Sequence, residues 1–276
     1  MKRQKEFTWE EIRQKGMECY FQPIYNVKKK RIISMEALLR VHDGKGGSLN
    51  PELVVQDAEE DEWVSYLDLW ILEQVCKSFH KFEVLGIQRV NVNLSPITCE
   101  EPDIVERICS LMKQYEIANS QIWFELTEMG HNVKIDKVIE TVDVLQKQGI
   151  MFSMDDFGKG HSNLVRLVNF SFQSIKIDKE LVRGMHVKKM AKPLVQAMLN
   201  FTIDHDVKTT AEGIETRQQA LEMIEMGCDF LQGYLICEPL NIRDCLEFLK
   251  MVQDRDVLGT EKYLLNRTSY LCQSNN

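Results

Sequence analysis

The chain has 276 residues, of which 44% are hydrophobic and 28% are charged, and its formal net charge at pH 7 is −8. This composition is typical of a folded globular protein with a sizeable core. The acidic balance argues against a nucleic-acid polymer as partner, because proteins that bind one usually carry a basic face. No apolar run approaches the ~20 residues of a membrane span. The charged N-terminus also lacks the apolar segment of a secretory signal, so we expect a cytoplasmic protein.

Strand-like runs alternate with amphipathic helical runs along the chain. The strand candidates are residues 19–25, 32–38, 89–95, 122–128, 151–157, 174–180, 208–214 and 230–236. Apolar residues recur at helical spacing in segments that include 103–115, 133–148, 189–204, 217–226 and 242–252. Asp103 and Thr216 stand at the N-cap positions of two of these segments.

Eight strand candidates separated by helices predict a β/α barrel. The first two candidates are too close in sequence for a helical crossover, so we expect them to form an antiparallel hairpin. The predicted fold is therefore α/β, a TIM-like (β/α)8 barrel with one antiparallel strand. We assign residues 18–254 to this single domain, with an N-terminal extension at 1–17 and a C-terminal tail at 255–276.

Polar or ionisable residues recur near the C-terminal ends of the strand candidates, although the strands around them are apolar. They are Gln22, Glu36, Asn93, Glu125, Asp155, Asp156, Lys176, Asp178, Glu212, Glu215 and Gln232. Carboxylates that point into a barrel must pair, bind metal or shift their pKa. In barrels of this type the C-terminal strand ends form the active site.

The chemistry of this set favours hard divalent cations, Mg2+ or Mn2+, over zinc, because it is rich in carboxylates and poor in imidazole and thiolate. The eight cysteines contain no Cys-x-x-Cys pair, which argues against a zinc site or a disulfide framework. Adjacent Asp155 and Asp156 are a natural nucleus, since one bridging carboxylate places two ions ~3.5–4 Å apart for phosphoester hydrolysis. Taken singly, each acidic residue is more often a salt-bridge partner, and Lys176 a paired structural residue. The recurrence at nearly every strand end favours a functional site.

Eight motifs follow one another in the order found in the EAL family of bacterial phosphodiesterases, which the chain resembles over about residues 18–250. The motifs are QPI at 22–24, EALLR at 36–40, NLS at 93–95, ELTE at 125–128, DDFG at 155–158, KID at 176–178, AEGIE at 211–215 and QGY at 232–234. The fold of that family, a β/α barrel with one antiparallel strand, agrees with the predicted hairpin.

The resemblance implies two ions, each Mg2+ or Mn2+, held by acidic and amide side chains. The residues matching the ligands of the first ion are Glu36, Asn93, Glu125 and Asp155. Those matching the ligands of the second are Asp155, Asp156 and Glu212.

The resemblance also implies catalytic and substrate-binding roles. Lys176 matches a lysine beside the attacking water, and Gln232 matches a glutamine that supports this water and the phosphate. Glu128 matches a glutamate that holds the loop after DDFG in place, and Glu212 joins this catalytic group. The residues assigned to substrate binding are Gln22, Arg40, Asp178 and Glu215, with Gln22 matching a guanine contact and Arg40 a phosphate contact.

The implied reaction is metal-dependent hydrolysis of cyclic di-GMP to the linear dinucleotide pGpG. In-line attack on phosphorus would release a ribose 3′-oxygen. A homodimer is implied too, because family members often dimerise through helices near the DDFG loop.

Two other functions stay open at this point. A receptor would bind cyclic di-GMP without cutting it, and Lys159 and Glu238 depart from the family pattern in ways that can weaken turnover or binding. An interaction protein would use the barrel only as a scaffold. The scaffold function is disfavoured, because unpaired inward carboxylates would destabilise the fold.

Overall fold

Eight strands close into one barrel in chain order. The computed structural model describes residues 7–127, 133–158, 167, 169–253 and 255–259. The strands are β1 (Met17–Asn26), β2 (Arg31–Val41), β3 (Arg89–Leu94), β4 (Ile122–Leu126), β5 (Met151–Phe157), β6 (Ser174–Ile177), β7 (Lys208–Ala211) and β8 (Phe230–Gln232). Strand β1 is antiparallel to β2 and to β8, and the remaining neighbours are parallel. The prediction of a TIM-like (β/α)8 barrel with one antiparallel strand is confirmed.

Helices surround the barrel. Within the described residues they are α1 (Trp9–Lys15), α2 (Pro51–Glu60), α3 (Val64–Glu83), α4 (Ile104–Gln114), α5 (Ile135–Lys147), α6 (Lys179–Gly184), α7 (Ala191–Asp204), α8 (Arg217–Glu225) and α9 (Ile242–Val252). Short 3-10 turns span Thr98–Glu100 and Asn119–Gln121. The five segments with helical periodicity correspond to α4, α5, α7, α8 and α9. No helix in the described part of the chain is both long and apolar enough to cross a membrane.

Two helix starts illustrate how local chemistry sets these boundaries. Thr216 is the N-cap of α8, where its hydroxyl accepts a hydrogen bond from Gln219 N and the Gln219 side chain accepts one from Thr216 N. Asp103 is the N-cap residue of α4, but its side chain makes no capping hydrogen bond and instead pairs with Arg107 at 3.6 Å. Both predicted positions are confirmed, although only one makes the capping hydrogen bonds.

The last three strands are shorter than predicted, because each ends in a turn that the apolar pattern does not show. Asp178 begins α6 as its N-cap instead of continuing β6. Gly213 has a φ of +62° after β7. After β8, Gly233 lies so close to Ile214 that a side chain there would collide with the Ile214 backbone. These turns lie at the C-terminal ends of the strands, where the polar side chains converge.

Side chains on the strands alternate between the helical layer and the bore of the barrel. On β3, Val90, Val92 and Leu94 are buried on the outer side, while Asn91 and Asn93 face the bore. This period of two explains how an apolar strand can deliver polar groups to one end of the barrel.

The opposite end of the bore is closed by a stacked arginine. The Arg89 guanidinium carbon lies 4.0 Å from the ring centroid of Trp123 and 4.7 Å from that of Phe230. The three residues stand at the starts of β3, β4 and β8. Cation–π stacking packs the bore at this end, whereas at the C-terminal end the Asp155 and Glu212 side chains are 16% and 18% exposed.

Because Gly233 lies against the Ile214 backbone after β8, we predict that this position does not tolerate a side chain. We expect Gly233→Ala to lower the free energy of unfolding by about 1–3 kcal/mol, because its Cβ would overlap with the Ile214 backbone. That backbone is held by hydrogen bonds from Ile214 N to Gln232 O (3.0 Å) and from Leu235 N to Ile214 O (2.9 Å). Urea denaturation measures the change.

A matched control is Gly184→Ala at the end of α6, where the nearest atoms would lie 3.4 Å from the new Cβ. Alanine in a helix is favoured over glycine by roughly 0.5–1 kcal/mol, so this variant should be as stable as the wild type or more so. Equal stability of the wild type and Gly233→Ala would contradict the packing described.

Candidate active site

Lys176 lies at the centre of a cluster of acidic side chains at the C-terminal ends of the strands. Its Nζ contacts one oxygen of each of four carboxylates: Glu36 at 3.0 Å, Glu125 at 2.7 Å, Asp155 at 3.3 Å and Glu212 at 2.6 Å. The Lys176 and Glu125 side chains are 1% and 0% exposed. We call these five residues the acidic cluster.

Strand register brings the acidic cluster together. Glu125 on β4 is the Cα partner of Asn93 on β3, and Glu36 on β2 is the partner of Asn91. Since side chains alternate along each strand, Glu36, Asn93 and Glu125 all face the bore. Residues that are 140 and 51 positions apart thereby meet at one ammonium group.

Amide side chains hold the carboxylates of the acidic cluster in place. Asn93 Nδ2 donates to Glu36 Oε1 (3.3 Å), and Gln232 Nε2 donates to Glu36 Oε2 (2.6 Å). Asn91 Nδ2 donates to Glu125 Oε1 (2.7 Å). The sequence placed Asn91 on the inward face of β3 but gave no indication that it supports Glu125.

Gln22 braces Gln232 from the antiparallel strand. Its Oε1 accepts a hydrogen bond from Gln232 Nε2 (3.0 Å), and its Nε2 donates to the Cys237 carbonyl (3.1 Å). Both polar ends of the Gln22 amide are therefore engaged within the protein. A ligand contact by Gln22 has to exchange with, or add to, these hydrogen bonds.

The Asp156 carboxylate lies beside two members of the acidic cluster. Ligand oxygens of Asp155, Asp156 and Glu212 all lie within 4.8 Å of one another. Asp156 has a φ of +55°, which departs from the strand conformation. This local turn lets two successive aspartates reach one site, whereas neighbours on a regular strand point to opposite faces.

The acidic cluster carries more negative than positive charge. Four ionised carboxylates around one ammonium leave three negative charges without a counter-charge. Burial, together with the charge of Glu36, raises the pKa of Glu125 well above its usual value. Burial likewise raises the pKa of Glu212 to about 8. In the absence of a cation, protons are therefore retained on this cluster at neutral pH.

The pKa values of Glu36 and Lys176 shift in the directions that favour the charged forms of these residues. Burial opposes ionisation of Glu36, but the Lys176 charge and the amide hydrogen bonds lower its pKa overall. Burial would also lower the pKa of Lys176, yet the charges of Asp155, Glu125 and Glu212 raise it well above the usual lysine value. Lys176 consequently stays protonated.

The residues present fit a hard divalent cation. The donors in reach are carboxylate and amide oxygens, the ligands that Mg2+ and Mn2+ prefer. Two buried oxygens, Gln232 Oε1 and Asp155 Oδ1, have no hydrogen-bond donor, and the 3.3 Å contact of the latter with Lys176 is an ion pair without hydrogen-bond geometry. Buried oxygens without donors are available as ligands.

Arg40 lies beside an aromatic ring on the next strand. Its guanidinium carbon is 5.4 Å from the ring centroid of Tyr20, and its Nη1 donates to the Leu39 carbonyl (2.8 Å). Among the described residues, no carboxylate pairs with this guanidinium. Arg40 thus presents a positive charge that is available to an anion.

Two residues assigned to substrate binding have other partners in the structure. Asp178 Oδ1 accepts a hydrogen bond from Glu180 N (2.8 Å) at the start of α6. Glu215 pairs with Arg183 at 2.5 Å, and its side chain is 43% exposed. Neither forms an ion pair with Lys176. Glu128 and Lys159 lie outside the described residues, so their predicted roles stay predictions.

Comparisons with known proteins agree with the geometry. Residues 8–239 match the family described as EAL domain. The cyclic di-GMP phosphodiesterase NbdA of Pseudomonas aeruginosa is 28% identical over 241 residues, which cover 87% of this chain and 31% of NbdA. The chain spans about a third of the length of the curated relatives it matches.

Two solved structures are similar in fold as well as in sequence. The EAL enzyme Bd1971, in a form with cAMP and cyclic di-GMP bound, superposes with a TM-score of 0.80 at 26% identity. The match covers 87% of this chain and 66% of that one. BlrP1 of Klebsiella pneumoniae, in a complex with calcium and cyclic di-GMP, gives a TM-score of 0.71 at 27% identity, covering 88% and 59% of the two chains.

From the raised pKa values of Glu125 and Glu212 we predict how the stability of the metal-free protein depends on pH. A carboxyl whose pKa is raised on folding contributes stability while it is protonated, and this contribution is lost as pH rises through the folded pKa. For Glu212 the stability contribution is lost between pH 4.5, its ordinary pKa, and about 8, its pKa in the folded protein. The raised pKa of Glu125 also makes the protein less stable as the pH rises. The raised pKa of Lys176 affects stability only above its ordinary value of 10.5, and the lowered pKa of Glu36 affects it only below its ordinary value of 4.5, so neither contributes in this window.

We therefore expect the melting temperature measured in EDTA to fall as the pH is raised from about 5 to about 9. Glu212→Gln should show a shallower decline, since the variant has no carboxyl to titrate at that position. Saturating Mg2+ should reduce the decline in the wild type by supplying the missing positive charge. Parallel pH profiles for the wild type and Glu212→Gln in EDTA would contradict the assignment of a retained proton to Glu212.

Proposed function

The chain belongs to the EAL domain family, and we propose that it is a metal-dependent phosphodiesterase that hydrolyses cyclic di-GMP to linear pGpG. The observation that carries the proposal is the acidic cluster, four carboxylates around one buried lysine at the accessible end of the barrel. The names of NbdA and of the two structures with bound cyclic di-GMP support the substrate.

Two ions, Mg2+ or Mn2+, are proposed as cofactors. The residues that would hold the first are Glu36, Asn93, Glu125 and Asp155, and those that would hold the second are Asp155, Asp156 and Glu212. Such ions supply Lewis acidity, which makes water a stronger nucleophile and offsets charge on the phosphoryl group. The excess negative charge of the acidic cluster and its oxygen ligands support this assignment, as does the calcium in the BlrP1 complex.

Lys176 acts as a fixed positive charge and hydrogen-bond donor. Because the surrounding carboxylates keep it protonated, it cannot accept a proton from the attacking water. Its N–H groups donate to Glu36 and Glu125 and contact Glu212, so one of them has to exchange a carboxylate for that water or a phosphate oxygen in order to orient it. Its charge offsets the negative charge that grows in the transition state. Hydrogen bonds from Nε2 to Gln22 and Glu36 fix Gln232, and its buried Oε1 has no hydrogen-bond donor.

Substrate binding is assigned to residues at the rim of the acidic cluster. Arg40 offers a guanidinium to a phosphate, which it can contact with two N–H groups at once. The Tyr20 ring stabilises the arginine in this position through a cation–π contact. Gln22 lies deeper, next to Gln232, and would contact a guanine only after its hydrogen bonds rearrange.

Substitution of a proposed metal ligand tests the proposed hydrolase activity directly. Glu36→Gln keeps the shape of the side chain but removes a negative charge. Because loss of a group that merely orients a metal ligand typically costs ~10–100-fold, we expect kcat/KM for cyclic di-GMP to fall by ~100-fold or more. The matched control is Glu247→Gln on the exposed face of α9, which should leave activity unchanged. Product chromatography after incubation with Mn2+ or Mg2+, against an EDTA control, measures pGpG.

The same assay distinguishes the hydrolase from the receptor. Metal-dependent appearance of pGpG supports hydrolysis. Cyclic di-GMP that is bound but recovered intact would favour the receptor, with Lys159 and Glu238 as the first residues to revert to the family pattern. Full activity of Glu36→Gln would contradict a requirement for the negative charge of Glu36 in holding the ions.

We also propose a homodimer, as the family resemblance implies, and a cytoplasmic location. An apolar surface supports the dimer: Met190, Leu194 and Phe201 are 70%, 51% and 41% exposed. They recur at intervals of four and seven residues, so they share one face of α7 and the residue before it. An exposed apolar stripe of this kind is typical of an interface between helices.

Leu194→Glu should therefore dissociate the dimer, because it places a charge in the apolar stripe. Val84→Glu is the matched control, since Val84 is 75% exposed at the end of α3, outside the stripe. Light scattering coupled to size-exclusion chromatography gives the masses. A wild-type protein that is monomeric at all concentrations tested would contradict the dimer.

A further inference from the structure

Two carboxylates on the outer helices bind the turn that follows β3. Asp68 on α3 accepts hydrogen bonds at one oxygen, Oδ2, from Ser95 N (2.9 Å) and from Thr98 Oγ1 (2.6 Å). Glu59 on α2 accepts one from Ser95 Oγ (2.7 Å). Asp68, Ser95 and Thr98 are all buried. We call Glu59, Asp68, Ser95 and Thr98 the β3 clamp.

The β3 clamp is adjacent in sequence to a proposed metal ligand. Ser95 is two residues after Asn93, whose amide donates to Glu36 in the acidic cluster. Between them, the Leu94 carbonyl accepts a hydrogen bond from Thr127 N at the end of β4 (3.3 Å). The backbone that leaves Asn93 is thus held from the helical layer on one side and from β4 on the other.

The same turn reaches the helix that follows β4. Cys99 O accepts a hydrogen bond from Thr141 Oγ1 on α5 (2.7 Å). Glu100 accepts one from Lys134 N (2.7 Å) and pairs with Lys134 Nζ at 3.2 Å. A displacement of this turn would therefore shift both Asn93 and the start of α5, the helix that follows Glu125 in the chain.

We propose that Asp68, with Glu59, is a positioning residue for the metal site: it fixes the turn after β3 so that Asn93 presents its amide to the ion. The inference rests on the proposed function, because it requires the ion. Neither Asp68 nor Glu59 belongs to the eight motifs that carry the family resemblance, and neither residue hydrogen-bonds to the acidic cluster.

What Asp68 contributes is the geometry of its oxygen acceptor. Burial raises the pKa of Asp68 to about 7, so the charged and neutral forms are both present near neutral pH. Both donors bind Oδ2, and an asparagine Oδ1 in the same place can accept both hydrogen bonds. Asparagine should therefore substitute for Asp68, whereas leucine should not.

The test is the affinity of purified, substrate-free protein for Mn2+, measured by isothermal titration calorimetry. We expect Asp68→Leu to bind Mn2+ about 10–100-fold more weakly than the wild type, the range found when groups that orient metal ligands are removed. Asp68→Asn should stay within about 3-fold of the wild type. The kcat of Asp68→Leu should recover when Mn2+ is raised, since a displaced ligand weakens occupancy of the site.

A second aspartate with the same kind of partners controls for a loss of stability alone. Asp229 precedes β8 at the opposite end of the barrel, and its Oδ2 accepts hydrogen bonds from Thr209 N (3.0 Å) and Thr209 Oγ1 (3.3 Å). Asp229→Leu should lower the melting temperature without changing the Mn2+ affinity. If Asp68→Leu does not fold, Thr98→Val removes one hydrogen bond of the β3 clamp, and we expect it to weaken Mn2+ binding by ~3–10-fold, within the range set by the loss of one such bond.

The outcomes separate the two proposals. A wild-type protein that binds Mn2+ while the folded Asp68→Leu or Thr98→Val variant binds it equally well would overturn the β3 clamp and leave the phosphodiesterase standing. A wild-type protein that does not bind Mn2+ would contradict the metal-dependent function and, with it, the clamp. Weak binding by both Asp68→Leu and Asp68→Asn would also overturn the inference, since it would make charge, and not acceptor geometry, the requirement.

Discussion

The rest of the site depends on one imbalance of charge: four carboxylates from different strands meet at a single buried ammonium. Closing the barrel enforces this meeting, because the C-terminal ends of parallel strands converge at one rim. Like charges that are this close and this well buried cannot all remain ionised without cations. Protons on Glu125 and Glu212 relieve the repulsion in the metal-free protein, and divalent ions would relieve it during catalysis.

Neutral groups hold the acidic cluster without adding to its charge. Amides from Asn91, Asn93 and Gln232 donate to the carboxylates, and Gln22 braces Gln232 in turn. Such hydrogen bonds orient oxygens in a low-dielectric interior, where an unpaired polar group is costly. Beyond them, Asp68 extends the support to the helical layer. Successive hydrogen bonds therefore orient the oxygens of the site, and an ion would meet ligands that are already positioned.

Much of this could be predicted from the sequence, because it depends on local periodicity. Alternation of apolar and polar residues identified the strands and their inward faces, and the eight motifs in order identified the family. Helices α1, α2, α3 and α6 were not among the predicted segments, and the ends of β6 to β8 were predicted too far along the chain. The strand ends were misjudged because Asp178 caps a helix although its sequence continues an alternating pattern. The partners of Gln22 and Asp68 were not foreseeable, since they lie 215 and 27 residues away and only the closed barrel brings them close.

The most direct test of the central claim is the number of protons released when Mn2+ binds. Calorimetric titrations near pH 7, in buffers with different ionisation enthalpies, give this number. Ligand carboxyls must lose their protons before they coordinate a metal. Because Glu212 has a pKa of about 8 and that of Glu125 is raised as well, we expect a net release of about one proton or more. Tight binding of Mn2+ with no release of protons would show that the acidic cluster is already fully ionised, and would contradict the account of its charge.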